Sequence, residues 1–469
     1  MIQPISATDA FFLVGEQDRM PFHAGGLMEF TKPGDAGTDF VSDLKERMRG
    51  PWRPASPFNL VPLPGPLSRH APALRSVSAI DVDEHVVLHQ LADPGGQREL
   101  GRLVARLHGE VLPRHRPLWE MHLIDGLEGD RFAIYTKIHH SVIDGVSGMR
   151  RLVSWLSSDP AARNAWPPFT IGPPSRPSAE TGMAVRIGEL VAGALRLPIS
   201  TASFATNTAV GLAQVGGFVL ETRRGEIDGE ALAGPYRVPN DLFRGQITSE
   251  RRVAIQQLPL AEVKQVARAT KGTVNDIVLW LVSSALRTYL IAHHELPDES
   301  LMAGCAVNLR ASDDDRFGNA FGFLSVDLAT TATDPLERLR IIQASSGVAK
   351  RQLQRLTPSA LALQGVVAQG PLVGSLLLDL GSRTPSAYAV AVSNVPGPSQ
   401  QLYLEGARLD SLVPVSIPVD SNPLNVTCVS HGDKLTFGIT AASATVPHVQ
   451  VMGAALGASW VELTAALSG

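Results

Sequence analysis

RFAIYTKIHHSVIDGVSGM, residues 131–149, is the stretch on which the reading of the chain turns. Phe132, Ile134, Thr136, Ile138 and His140 alternate with Ala133, Tyr135, Lys137 and His139, which predicts a strand with two lined faces. The adjacent histidines then point to opposite sides, one toward a reaction channel and one into the domain. After Gly145 the spacing of Val146, Met149, Val153 and Leu156 is helical. His139-His140-Ser141-Val142-Ile143-Asp144-Gly145 thus lies on a strand-to-helix turn, where glycine permits backbone conformations or close approaches that other residues resist.

With 13 His and 42 Gly in the chain, H-H-x-x-x-D-G arises by chance in roughly 0.002 of such sequences. Histidine suits general-base work because its unperturbed pKa, about 6.5, lies near working pH. An isolated histidine is more often a satisfied core residue; the seven-residue pattern reverses that weighting. Asp144 either fixes the turn through an arginine or orients a histidine directly. His293-His294-Glu295-Leu296-Pro297-Asp298 spells a similar string. It lacks the glycine and follows a helix rather than a strand, so we expect it in solvent. Neither pair has further ligands at a spacing useful for a metal.

Outward from the motif, PLWEMHLID (117–125) and the 131–140 run flank the turn-prone GLEGD, which predicts a hairpin. HAGGLMEF (23–30) reads as a strand, and Leu100, Leu103, Val104, Leu107 and Val111 as a helix. Residues 157–182 collect Ser, Pro, Ala and Gly, and an apolar segment, 183–222, follows. A second globular half begins near RRVAIQQLPL (251–260). Its helix 260–270 ends before Gly272, read as the C′ residue, and Thr273 caps a helix over 275–292 apolar enough to be deeply buried. Residues 387–398 and 424–443 are strand-like. The expected organisation is an N-terminal half (1–160) carrying the motif, a linker and apolar crossover (161–245), and a C-terminal half (246–469).

Length, 469 residues, and 44% hydrophobic against 18% charged residues supply ample core and exclude global disorder. Forty-one basic and 45 acidic residues give a net charge of −4. That balance, with only isolated arginine pairs, argues against a nucleic-acid partner. Cys305 and Cys428, the two cysteines, cannot build a disulfide framework, and a reducing, cytoplasmic setting is the simplest reading. No secretory signal is visible, and we expect no transmembrane helix; 183–222 and 359–380 read as core or interfacial helices. Dinucleotide, P-loop, serine-hydrolase and zincin motifs are missing.

Several stretches together resemble the bacterial wax ester synthase/diacylglycerol acyltransferase family. These are ISATDAFFLVGEQDRMPFHAGGLMEF (5–30) with its Asp9-Ala10 pair, His85 through DPGG (93–96), residues 116–149, TVNDIVL (273–279), DPLERL (334–339) and SNVPGP (393–398). That family belongs with the HHxxxDG acyltransferases, alongside chloramphenicol acetyltransferase and peptide-synthetase condensation domains. The resemblance implies an α/β fold with mixed sheets, in two chloramphenicol-acetyltransferase-like halves with an active-site tunnel between them. It implies His140 as catalytic base, with His139, Asp144 and Gly145 supporting it, acting on acyl-CoA and a diacylglycerol or fatty alcohol without cofactor or covalent intermediate. Asn275, of the Asn275-Asp276 pair, is the candidate to border the developing oxyanion; Ser393 and Asn394 are further ones. Capping and turn roles explain these residues equally well. Trp119, in a segment linked in the family to acceptor binding, reads equally as core.

Three departures bear on acceptor choice. Leu112-Pro113 replaces the family's Leu-Asp, Ala306-Val307-Asn308-Leu309-Arg310 replaces Pro-Val-Ser-x-Arg, and ITAASATVPHV (439–449) lacks two acidic residues. The rival readings are the same chemistry on another hydroxyl, on a secondary metabolite or complex lipid, and a degenerate protein that only binds lipid. The apolar segments also suit docking to a membrane or lipid-droplet surface, although core burial serves them equally.

Overall fold

The computed structural model describes residues 2–5, 7–63, 72–143, 145–163, 166–172, 214, 216–222, 224–227, 229–234, 239, 242–243, 245–293, 296–308, 321–357, 360, 386 and 388–468. Asp144 and nearly all of the two apolar segments, 183–222 and 359–380, lie outside them.

The strands that carry the motif are β1 (His23–Thr31), β2 (Val86–Gln90), β3 (Trp119–Leu127) and β4 (Arg131–His139). The second half supplies β5 (Arg251–Pro259), β6 (Met302–Asn308), β7 (Phe321–Asp327) and β8 (Val390–Val395), then β9 (Tyr403–Leu404), β10 (Ala407–Val415), β11 (Leu424–His431) and β12 (Lys434–Ala442). They form two six-stranded mixed sheets, ordered β9-β10-β1-β4-β3-β2 and β5-β12-β11-β8-β6-β7. The expected hairpin is β3–β4, paired antiparallel with a register shift between Ile124 and Leu127. β9 and β10 come late in the chain yet complete the first sheet, β10 pairing antiparallel with β1.

The alternation read from the sequence holds in three dimensions. Phe132, Ile134 and Ile138 bury their side chains in one core of the first half, with Phe30, Trp119 and Leu123. Ala133 and Tyr135 bury theirs in the core on the opposite face, with Leu100, Val104 and Leu107 of helix Gln97–Gly109. A helix over Gly145–Ser154 follows the motif, as its spacing predicts.

In the second half, helix Leu260–Ala269 ends in a Schellman arrangement. Gly272 N–H donates to the carbonyl of Ala267 (2.8 Å) and Lys271 N–H to that of Arg268 (3.1 Å). The left-handed residue is Lys271, with φ of 54°, so the C′ assignment to Gly272 is corrected by one residue. A Cβ at Gly272 would meet Gln343 Nε2 at 2.3 Å, so the end of that glutamine side chain would have to shift. Thr273 then caps helix Val274–His293. Its Oγ1 accepts from Asp276 N (3.3 Å), while Asp276 Oδ2 accepts from Thr273 N (2.8 Å), a reciprocal capping box.

The Val274–His293 helix is long and apolar enough to cross a membrane, yet 72% of that window is buried in the protein. It packs as a core helix beside Gln450–Ser468 and Pro335–Gln354 over the second sheet. Neither flanking helix announces itself as strongly in the sequence.

Candidate active site

The motif begins where β4 ends. His139 sits opposite His23 of β1 in register, and its ring is fully buried. Ser141 N–H donates to His139 Nδ1 (3.1 Å), and Ser141 Oγ lies 2.7 Å from the same nitrogen. Because a backbone N–H can only donate, Nδ1 must carry the lone pair and Nε2 the proton in the neutral ring. That Nε2 faces Glu16 Oε1 at 3.3 Å.

Glu16 follows the apolar helix Ala7–Gly15 and has a side chain only 3% exposed. Its Oε1 also accepts from Phe22 N–H (3.0 Å), and its Oε2 accepts from Arg114 Nη2 (3.2 Å), which in turn binds the carbonyl of Leu13. Burial opposes ionisation of Glu16, but the His139 ring, the Phe22 amide and Arg114 outweigh it and lower its pKa. The carboxylate therefore orders the surroundings of both histidines, because the Phe22 carbonyl accepts from His140 N–H (2.8 Å).

His140 leaves the sheet at this point. Its ring is half-buried and rests on Phe12, centroids 4.4 Å apart. Phe12 and Phe11 pack on a cluster of Met20, Phe22, Ile247, Val419 and Ala442, so residues of both halves seat the ring under His140. The histidines thus do diverge, His139 into the first half and His140 to the junction between halves. Gly145 opens the helix that follows; Asp144 lies outside the described residues.

Behind His139 lies a buried polar network between the first sheet and the helix Gln97–Gly109. His23 Nε2 donates to the carbonyl of His108 (3.0 Å), and His108 Nε2 to that of Ser416 (2.7 Å), so His108 Nδ1 accepts from Tyr135 OH (2.7 Å). Lys137 Nζ, almost fully buried, donates to the carbonyls of Leu107 and Glu110 at the helix C-terminus and pairs with Glu120 at 3.0 Å. Burial pushes His108 down to about 3 and His85 and His89 to about 4, keeping them neutral.

The remaining candidates are distributed over other elements. Trp119 is 2% exposed, donates from Nε1 to the Phe58 carbonyl (2.9 Å) and stacks on His85, deep in the first core. Asp276 is engaged in the capping box and lies 3.9 Å from Lys350. The cap of that helix is Thr273, so Asn275, half-buried beside it, has no capping duty. Ser393 and Asn394 fall on opposite faces of β8. Asn394 shares the helix-covered face of Val392, and Ser393, in register with Thr427, shares the face turned toward the first sheet. The decoy string ends the Val274–His293 helix, where His293 is exposed and stacks on His448. Among the described residues no group of three or more His, Cys, Asp or Glu could hold a metal ion.

Sequence reasoning missed Glu16, Arg114 and Phe12. The one available signal was an acidic residue directly after an apolar helical run, inside a stretch quoted only for Asp9-Ala10.

Comparison with known proteins gives this geometry its context. Residues 5–278 match the family model for the wax ester synthase/diacylglycerol acyltransferase catalytic domain, and residues 317–463 that for the WS/DGAT C-terminal domain. A probable diacylglycerol O-acyltransferase, tgs2, of Mycobacterium tuberculosis is 35% identical over 467 residues, 98% of each chain. The O-acyltransferase WSD of Acinetobacter baylyi is 32% identical over 96% of this chain and 94% of its own. The structure of a wax ester synthase/diacylglycerol acyltransferase from Marinobacter aquaeolei superposes over the whole of both chains with a TM-score of 0.77 at 29% identity. A condensation domain of the calcium-dependent antibiotic synthetase shares the fold, with a TM-score of 0.60 at 16% identity over 100% of this chain and 96% of its own. The chain belongs to the wax ester synthase/diacylglycerol acyltransferase family.

Proposed function

We propose that the protein is an O-acyltransferase that moves a long acyl chain from CoA to the hydroxyl of a diacylglycerol or a long-chain alcohol, with His140 as general base. The observation that carries this reading is the seating of His140: its backbone is pinned to Phe22 and its ring rests on Phe12 at the junction of the two halves. A base held at that junction would meet two substrates approaching from its opposite sides.

In that arrangement His140 takes the hydroxyl proton as the alcohol oxygen attacks the thioester carbonyl carbon. The carbonyl π pair moves onto oxygen to give a tetrahedral oxyanion. Collapse re-forms the carbonyl and breaks the C–S bond, and the CoA thiolate takes the proton back from the imidazolium. No covalent acyl-enzyme and no cofactor is required. His139 is structural, its ring set against Glu16. The apolar substrates fit a cytoplasmic enzyme working at a membrane or lipid-droplet surface.

The test is CoA release by purified protein given palmitoyl-CoA with hexadecanol or a diacylglycerol, with products identified by chromatography. Acceptor-dependent release that vanishes in His140→Ala supports the proposal. Release independent of acceptor indicates hydrolysis alone. No release with either acceptor, but release with another hydroxyl compound, moves the acceptor and keeps the chemistry.

A further inference from the structure

On the second sheet, the face turned toward the first half carries polar side chains where the opposite face is apolar. Leu424, Val426 and Cys428 of β11 enter the core of the second half, while Val429 packs in a core of the first. Asn425, Thr427 and Val429 therefore look across the junction. Three hydroxyl and amide groups there are joined in one directed chain. Thr427 Oγ1 donates to Asn425 Oδ1 (2.9 Å), which uses its single proton. Ser416 Oγ, 2.7 Å from Thr427 Oγ1, must therefore be the donor in that contact. Ser416 is itself anchored: its N–H donates to Thr440 Oγ1 (3.1 Å), and its carbonyl accepts from His108 Nε2 (2.7 Å).

This chain fixes which way the Asn425 amide faces. With Oδ1 occupied by Thr427, Nδ2 and its two protons point away from the relay, and among the described residues nothing accepts from them. Asn425 is half-buried, flanked in the sheet by Ala391 and Thr440. Thr440 is followed on the same face of β12 by Ala442, part of the cluster that seats Phe12 beneath His140. The crossing that brings Ser416 into place depends on Gly438, where a Cβ would stand 1.8 Å from the Pro414 carbonyl oxygen. The close passage of one strand over another therefore serves to aim an amide into the junction.

We propose that the Asn425 amide is a hydrogen-bond donor to the thioester carbonyl oxygen of the acyl-CoA and to the oxyanion it becomes, with Thr427 and Ser416 as positioning residues. This rests on the acyl-transfer reading above. A prearranged donor of this kind favours the transition state over the ground state, because negative charge develops on the oxygen only during attack. No bond to Asn425 forms or breaks.

The experiment uses the full-length His140→Ala protein, which holds acyl-CoA without turning it over, and palmitoyl-CoA carrying ¹³C at the carbonyl. Infrared difference spectra should show the bound carbonyl stretch moved to lower frequency, and Asn425→Ala on the same background should abolish the shift. In the His140 parent, Asn425→Ala and the isosteric Asn425→Asp should lower kcat roughly a hundredfold. Affinity for hexadecyl-CoA, a thioether without the carbonyl, should be unchanged. Thr427→Val should lower kcat by a smaller factor and Thr427→Ser should restore it, with all variants checked for native melting temperature. A carbonyl stretch indifferent to Asn425, or full kcat in Asn425→Asp, overturns the proposal while leaving the acyltransferase reading intact. Failure of the protein to bind palmitoyl-CoA overturns both.

Discussion

Glu16 Oε1 stands 3.3 Å from His139 Nε2, with the two side chains 3% and 0% exposed. The backbone amide of Ser141 forces the lone pair onto Nδ1, so the carboxylate receives a proton-bearing nitrogen. Glu16→Ala would leave that N–H and the Phe22 amide buried without acceptors, at about 1–3 kcal/mol each. We expect a stability loss of about 2–4 kcal/mol on that basis and at least a tenfold fall in CoA release. Glu16→Gln, whose amide oxygen still accepts, should lose less on both counts. Urea unfolding and steady-state rates measure the two effects. Equal losses for Ala and Gln would contradict the tautomer argument.

Stability should decline on the acid side of neutrality. His108, His85 and His89 have folded pKa values depressed to about 3, 4 and 4, chiefly by burial, against an unfolded value near 6.5. Their contribution is present above pH 6.5 and is lost as pH falls toward 3, because the unfolded chain binds protons that the folded one refuses. The urea midpoint should fall steadily from pH 6.5 to 4.5, with about two or more protons taken up on unfolding. A flat profile would show that these rings are charged in the folded protein.

Thr273→Ala removes the Oγ1 cap of the Val274–His293 helix and should cost about 1 kcal/mol. Asn275→Ala should leave the melting temperature within a degree or so of the parent, given surface-type effects of about ±0.5 kcal/mol. If its acyl-transfer rate then falls, Asn275 borders the substrate. If rate and stability are both unchanged, it has no part in the site.

Trp119→Ala should destabilise by about 3–5 kcal/mol, the usual cost of emptying a buried aromatic position. Trp119→Phe, which keeps the packing against His85 and Phe58 but loses the bond to the Phe58 carbonyl, should fold and retain the parent ratio of activity on hexadecanol and diacylglycerol. An altered ratio in the Phe variant would mean that the indole reaches the acceptor.

What could be read from the sequence was whatever depends on neighbours along the chain. The two faces of β4, the turn that splits His139 from His140, and the Thr273 cap all follow from alternation, periodicity and residue chemistry within a few positions. Glu16 was illegible because its partners, His139 and Arg114, lie far along the chain and no local pattern joins them. The left-handed position was misplaced by one residue because glycine usually signals that backbone angle, whereas here Lys271 adopts it and Gly272 does not. The crossing of β10 into the first sheet was hidden for the same reason as Glu16: no element is assigned to ARLDSLVPV from the sequence, and nothing in it names β1 as its neighbour.

That crossing has a consequence during synthesis. β1 is complete once Thr31 has been made, but the strand that covers its free edge ends at Val415. At about 5–20 residues per second, the ribosome needs tens of seconds to deliver that partner. Throughout that interval the nascent first half presents an open row of amides and carbonyls beside an apolar face, the state most prone to pairing with a second chain. Yield in a cell should therefore depend on holding chaperones and on translation speed through the second half, even though the finished molecule has that edge sealed.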